Sequence, residues 1–147
     1  MEAAHRVQRV VFAQGILCEA SAALASSLVH CLWRSSKYAE DLILGILSDI
    51  SAAVVSEGDP GVYGPVSEEE CMKEICLGYP AYVEILESGE TTDSRTACID
   101  LILMCGLFSG DLRSRSIYFL ESVQGLPALE GCQTLIAASI DELREAG

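Results

Sequence analysis

Apolar residues recur along the chain at helical spacing, and the segments between glycine and proline do not alternate as a half-buried strand would. The pattern predicts an all-α protein. Val7, Val10, Val11, Gln14, Leu17 and Cys18 form one stripe, and Leu24, Leu28, Cys31 and Leu32 form another, with a break expected near Ser21. Over Lys37 to Val55, Leu42, Ile46, Ile50 and Val54 repeat every four residues beside Ile43 and Leu47, a face wide enough to be buried on more than one side. The run from Glu57 to Pro65 holds three glycines and two prolines, which makes it a long loop. Ser67 followed by Glu70 is a capping-box start for a helix reaching about Gly78. Pro80 suits the first turn of the next helix, through Tyr82, Val83, Ile85 and Leu86 to Ser88. Thr92 or Asp93 is the expected N-cap of a helix ending near Phe108, and Ser109-Gly110-Asp111 opens another that ends near Gln124-Gly125. A last helix is expected from Pro127 to Glu145, with Leu129, Cys132, Ile136, Ile140 and Leu143 inward. The total is seven or eight short helices.

Within this series Asp41-Leu42-Ile43-Leu44 recurs as Asp100-Leu101-Ile102-Leu103, each time after a shorter apolar helix and a polar turn. The segment from Tyr79 to Ser88, the turn, and then Asp93-Ser94-Arg95-Thr96-Ala97 leading into Leu103 resembles a HEAT or armadillo-type repeat, with its Arg-x-x-Ala start to the second helix. Ser27 to Leu32 with Ala39 to Ile50 resembles a second copy, and the turn proline of the consensus is missing from both. The resemblance spans roughly residues 20 to 125. It implies an α-solenoid of stacked helical hairpins, right-handed, with a groove of the kind that binds proteins, and it brings no catalytic residue with it.

At 147 residues the chain suits a single domain, 1–147. Half of it is apolar, which excludes disorder. The longest uncharged stretch, Ala20 to Trp33, is 14 residues and is too short to span a bilayer. No signal-peptide core is apparent, because Gln14 and Glu19 interrupt the N-terminal segment, so a cytoplasmic protein is expected. In keeping with that, the seven cysteines have no CxxC spacing and are read as reduced core residues.

Charge changes the picture most. Twenty-two acids against nine bases give −13, and residues 57–100 alone hold eleven acids and two bases, net −9. Nucleic-acid binding is excluded for want of clustered bases. This also argues against the DNA-glycosylase chemistry of some HEAT-like solenoids, which needs a basic groove. A basic protein partner fits instead, docking on Tyr63, Glu68, Glu69, Glu70, Glu74, Tyr79, Glu84 and Glu87, of which Tyr63 is the best-placed aromatic and Tyr82 reads as core.

Other chemistries find little support. Asp59 to Glu70 has Asp, Gly and Glu at positions 1, 6 and 12 of an EF-hand loop, but Gly61 and Tyr63 supply no carboxylate at positions 3 and 5. Cys71 and Cys76 lack histidine partners for zinc, and the adjacent His30 and Cys31 cannot share a tetrahedral ion. His30, among apolar neighbours, reads as a core histidine and not as a catalytic base; no phosphate loop, GxSxG or HExxH occurs. No catalytic, cofactor or metal residue is predicted. The sequence points to a small acidic inhibitor or immunity-type protein that masks a basic partner such as a nuclease toxin. The alternative is an adaptor or scaffold that takes a helix or peptide in the solenoid groove, with an enzyme as a remote third.

Overall fold

The computed structural model describes residues 20–54 and 67–147. Among them every regular element is helical: α1 (Ser21–Leu32), α2 (Lys37–Val54), α3 (Glu68–Leu77), α4 (Tyr79–Ser88), α5 (Thr92–Phe108), α6 (Gly110–Val123), a 3-10 helix (Pro127–Cys132) and α7 (Gln133–Glu145). The all-α expectation holds. The stripe from Val7 to Cys18, the Gly/Pro loop with Tyr63, and most of the EF-hand-like stretch lie outside the described residues. No helix among the described residues is long and apolar enough to cross a membrane.

Side-chain caps set two of the helix starts, while Ser109, at the start of α6, makes no cap hydrogen bond through its side chain. Ser67 is the cap the capping box called for: its Oγ accepts the Glu70 N–H at 3.1 Å, and Glu68, Glu69 and Glu70 fill the positive first turn of α3. The cap of α5 is Thr91, not Thr92 or Asp93. Thr91 has the extended backbone a cap requires (φ −110°, ψ 148°), and its Oγ1 accepts the Ser94 N–H at 3.1 Å. The expected single helix from Pro127 to Glu145 is two elements. Leu129 leaves helical geometry (φ −116°, ψ 17°), and the Gln133 side chain braces the break. Its Nε2 donates to the Leu129 carbonyl at 3.0 Å, and its Oε1 accepts from the Gly125 N–H at 3.2 Å. Gly125 itself has φ +91°, a conformation that glycine adopts without a Cβ clash.

The chain divides into two compact units, one through Leu77 and one from Gly78. In the first, α1, α2 and α3 each pack against the other two. Leu44, Leu47 and Ile50 of α2 and Met72 and Ile75 of α3 are fully buried. Leu42, expected on the α2 stripe, is 44% exposed, because the buried arc centres on Ile43, Leu47 and Ile50 and Leu42 lies at its edge.

In the second unit α4 packs on α5, α5 on α6 and α6 on α7, while α5 also meets α7 and the 3-10 helix. With neighbours on several sides, α5 buries residues around much of its circumference: Ser94, Cys98, Ile99, Leu101, Ile102, Cys105 and Gly106. Gly106 permits the close approach of three helices. A Cβ there would stand 2.7 Å from Leu143 Cδ2 of α7 and 2.9 Å from Ser116 Oγ of α6. The five inward residues expected between Leu129 and Leu143 are all buried, as is Tyr82.

Two core assignments need correction. His30 is exposed, and its Nδ1 donates to the Ser26 carbonyl one turn back at 2.8 Å. Cys31 is also exposed and Cys76 half-buried, whereas Cys71, Cys98, Cys105 and Cys132 are buried; none of these six forms a disulfide. Apolar neighbours in sequence do not turn a side chain inward, since 100° of rotation per residue separates His30 and Cys31 from the buried Val29 and Leu32.

Candidate functional site

The acidic residues read as a docking face fall on two helices in different units. On α3, Glu68, Glu69 and Glu70 are exposed and Glu74 is half-buried. Glu69 is the one of these that pairs with a described cation, Lys73 Nζ at 2.6 Å one turn on. The Lys73 hydrogen bond and charge hold the Glu69 carboxyl below its usual range, and Glu69 in turn raises Lys73. On α4, Glu84 and Glu87 are exposed. Tyr63 lies outside the described residues.

Tyr79, the remaining predicted contact residue, is 6% exposed. Its hydroxyl lies 3.0 Å from Ser116 Oγ, and Ser116 lies 3.1 Å from the Ile102 carbonyl. Ser116 has one proton and the carbonyl can only accept, so Tyr79 donates to Ser116 and Ser116 to Ile102. This relay ties α4 to α6 and α6 to α5, and it fixes the Tyr79 ring.

Beside that ring, α4 and α6 leave an open groove of about 560 Å³. Tyr79, Pro80 and Val83 form the α4 wall. Ser114, Arg115, Tyr118 and Phe119 form the α6 wall. Helical spacing explains the membership: 79 and 83, 114 and 118, and 115 and 119 are each one turn apart on a common face. Phe119 stands edge-on to Tyr118, with centroids 5.5 Å apart at 70°, and tilted against Tyr79, 6.5 Å apart at 58°. Both are favoured aromatic geometries. Tyr118 is 65% exposed, so the groove presents aromatic surface to solvent.

Sequence reasoning singled out Tyr79 and none of the α6 wall. No local signal marks the α6 wall: adjacent large side chains 100° apart are buried together elsewhere, as Leu101 and Ile102 are on α5, so only packing leaves Tyr118 exposed.

Among the described residues no group of three or more His, Cys, Asp or Glu side chains could hold a metal ion. Comparison with models of known protein families, with curated proteins and with solved structures finds no match.

Proposed function

We propose that this chain is a protein-binding module built from stacked helical hairpins of HEAT-like type, and that its acidic surface engages a basic protein, as a small inhibitor of a nuclease toxin would. The observation that carries the reading is on α3. Four glutamates occupy its first two turns, three of them exposed, and the single lysine on the helix, Lys73, forms its ion pair with Glu69. Such a surface attracts a basic partner over several ångströms and speeds its association. The hairpin reading is supported by the order of neighbours in the second unit, where α4–α5 and α6–α7 are successive helix pairs and α5 and α7 also touch.

The test is capture from native lysate on the immobilised chain at about 0.01 M and about 0.15 M salt, where the Debye length falls from about 30 to about 8 Å. A basic protein retained at low salt, weakened at higher salt, and lost on the combined change Glu68→Gln, Glu70→Gln and Glu74→Gln is the expected result. Recovery of no basic protein, or one indifferent to the triple variant, overturns the reading.

A further inference from the structure

The acidic surface does not explain the groove between α4 and α6, whose single charged lining residue is a cation, Arg115. Arg115 is exposed and makes no ion pair or hydrogen bond within the described residues, although the chain carries 22 carboxylates. Arg113 and Arg144 contrast with it. Arg113 donates to the Gly106 carbonyl and Arg144 binds Glu121 at 2.5 Å, so both are occupied in holding the unit together. At Arg115 a guanidinium fork is left over beside an aromatic wall. It offers the planar, two-pronged geometry that matches a carboxylate.

The rings supply the other half of a site. Tyr79 is held by the Ser116 relay and Phe119 packs against it, so this part of the aromatic wall is set before anything binds, with Tyr118 edge-on to Phe119 at the exposed rim. A preset wall lowers the cost of ordering a ligand against it. Its volume of about 560 Å³ lies in the range of small-molecule sites. Seven lining residues are few beside the roughly 20 to 30 a side that a stable protein interface uses.

We infer that the α4–α6 groove is a binding site for a small aromatic carboxylate, whose ring lies against Tyr118 and Phe119 and whose carboxylate pairs with Arg115. The hydroxyl of Ser114, one residue before Arg115, adds a hydrogen-bond donor on the same wall. This inference does not rest on the basic-partner reading. It asks for an anion where that reading asks for a cation, and either can fail alone.

The test is titration of the full-length, isotope-labelled chain with naphthoate, and with naphthamide as its neutral counterpart, followed by NMR shifts at Val83, Tyr118 and Phe119. Naphthoate is expected to bind saturably and about tenfold more tightly than naphthamide, the scale of one charge-assisted pair. Arg115→Gln should abolish that preference, weakening naphthoate about tenfold and naphthamide far less. Since Arg115 is exposed and makes no hydrogen bond or ion pair among the described residues, this variant should keep the parent helicity and melting temperature. Val83→Trp, which fills the groove from the other wall, should abolish binding of both compounds. Equal affinity for the two compounds, equal weakening of both by Arg115→Gln, or no saturable shifts up to about 5 mM would overturn the inference. So would a peptide with a C-terminal tryptophan that binds about tenfold more tightly than naphthoate, since the site would then belong to a protein terminus.

Discussion

The two units solve the same problem differently. In the first, three helices each touch the other two, and the centre of α2 is filled with aliphatic side chains: Leu44, Leu47 and Ile50. In the second, one helix, α5, takes contact from α4, α6, α7 and the 3-10 helix, and its interior positions include Ser94, Cys98, Cys105 and Gly106. A helix approached from several sides needs small residues where its neighbours come closest, and Gly106 marks that point for α6 and α7. The groove is another product of this arrangement. Both α4 and α6 lie on α5, but they make limited contact with each other, and the opening beside the Tyr79–Ser116 contact remains.

The difference predicts unequal responses to the same truncation. Leu47→Ala removes a side chain from α2, whose two neighbours can move towards the gap. Leu101→Ala removes one from α5, which neighbours on several sides hold in place. Both leucines are fully buried. Because the cost of a cavity depends on how far the site can collapse, losses of about 3 kcal/mol for Leu47→Ala and about 4 kcal/mol for Leu101→Ala are expected by urea denaturation. Equal losses would show that the central position of α5 does not stiffen its surroundings.

A smaller effect separates polar from apolar cohesion in the second unit. Ser116→Ala removes the link between Tyr79 and the Ile102 carbonyl and is expected to cost about 1 to 2 kcal/mol. Tyr79→Phe removes one hydroxyl and leaves Ser116 bonded to Ile102, so about 1 kcal/mol is expected. Because the two side chains share one bond, the double variant should cost less than the sum. Additive losses in a double-mutant cycle would exclude the relay.

The helix caps allow a direct comparison at matched geometry, since Ser67 in the first unit and Thr91 in the second each accept an N–H at 3.1 Å. Ser67→Ala and Thr91→Ala should each cost about 1 kcal/mol. Thr91 should sit at the upper end, because it is half-buried and opens the turn of α5 where Arg95 Nε also donates to the Gly89 carbonyl at 2.7 Å. Chemical denaturation of the two variants measures the difference.

These elements also show what a sequence makes legible. The helical class, the Ser67 cap and the inward face from Leu129 to Leu143 follow from spacing and side-chain chemistry within a few residues, and each is present. Thr91 against Thr92 is a one-residue matter of which threonine has extended backbone. The break at Leu129 is stabilised by Gln133 reaching back to Gly125 and Leu129, and local periodicity carries no trace of that. The groove was the least legible feature. Tyr79 and Phe119 are forty positions apart, and only packing on α5 brings their rings together. The exposure of His30 and Cys31 is illegible for the opposite reason: a run of apolar letters does not give the angle at which each side chain leaves the helix.

The smallest expected effect bears on Asp100, the first residue of the second Asp-Leu-Ile-Leu, which is half-buried on the crowded helix α5. Burial raises its carboxyl above the ordinary value. The unfolded chain ionises at about pH 4, so from there upward folding disfavours the charged form, and the penalty grows until the raised folded-state pKa is passed. Asp100→Asn should therefore stabilise the chain at pH 7 by about a few tenths of a kcal/mol, with the gain shrinking to nothing below about pH 4. Asp41 opens the first Asp-Leu-Ile-Leu and takes part in an electrostatic or hydrogen-bond interaction, so Asp41→Asn should bring no such gain. Urea midpoints for both variants across pH 3 to 8 test the comparison. A gain at Asp100 that persists at low pH would assign the effect to shape and not to charge, and an equal gain at Asp41 would remove the distinction between the two helices.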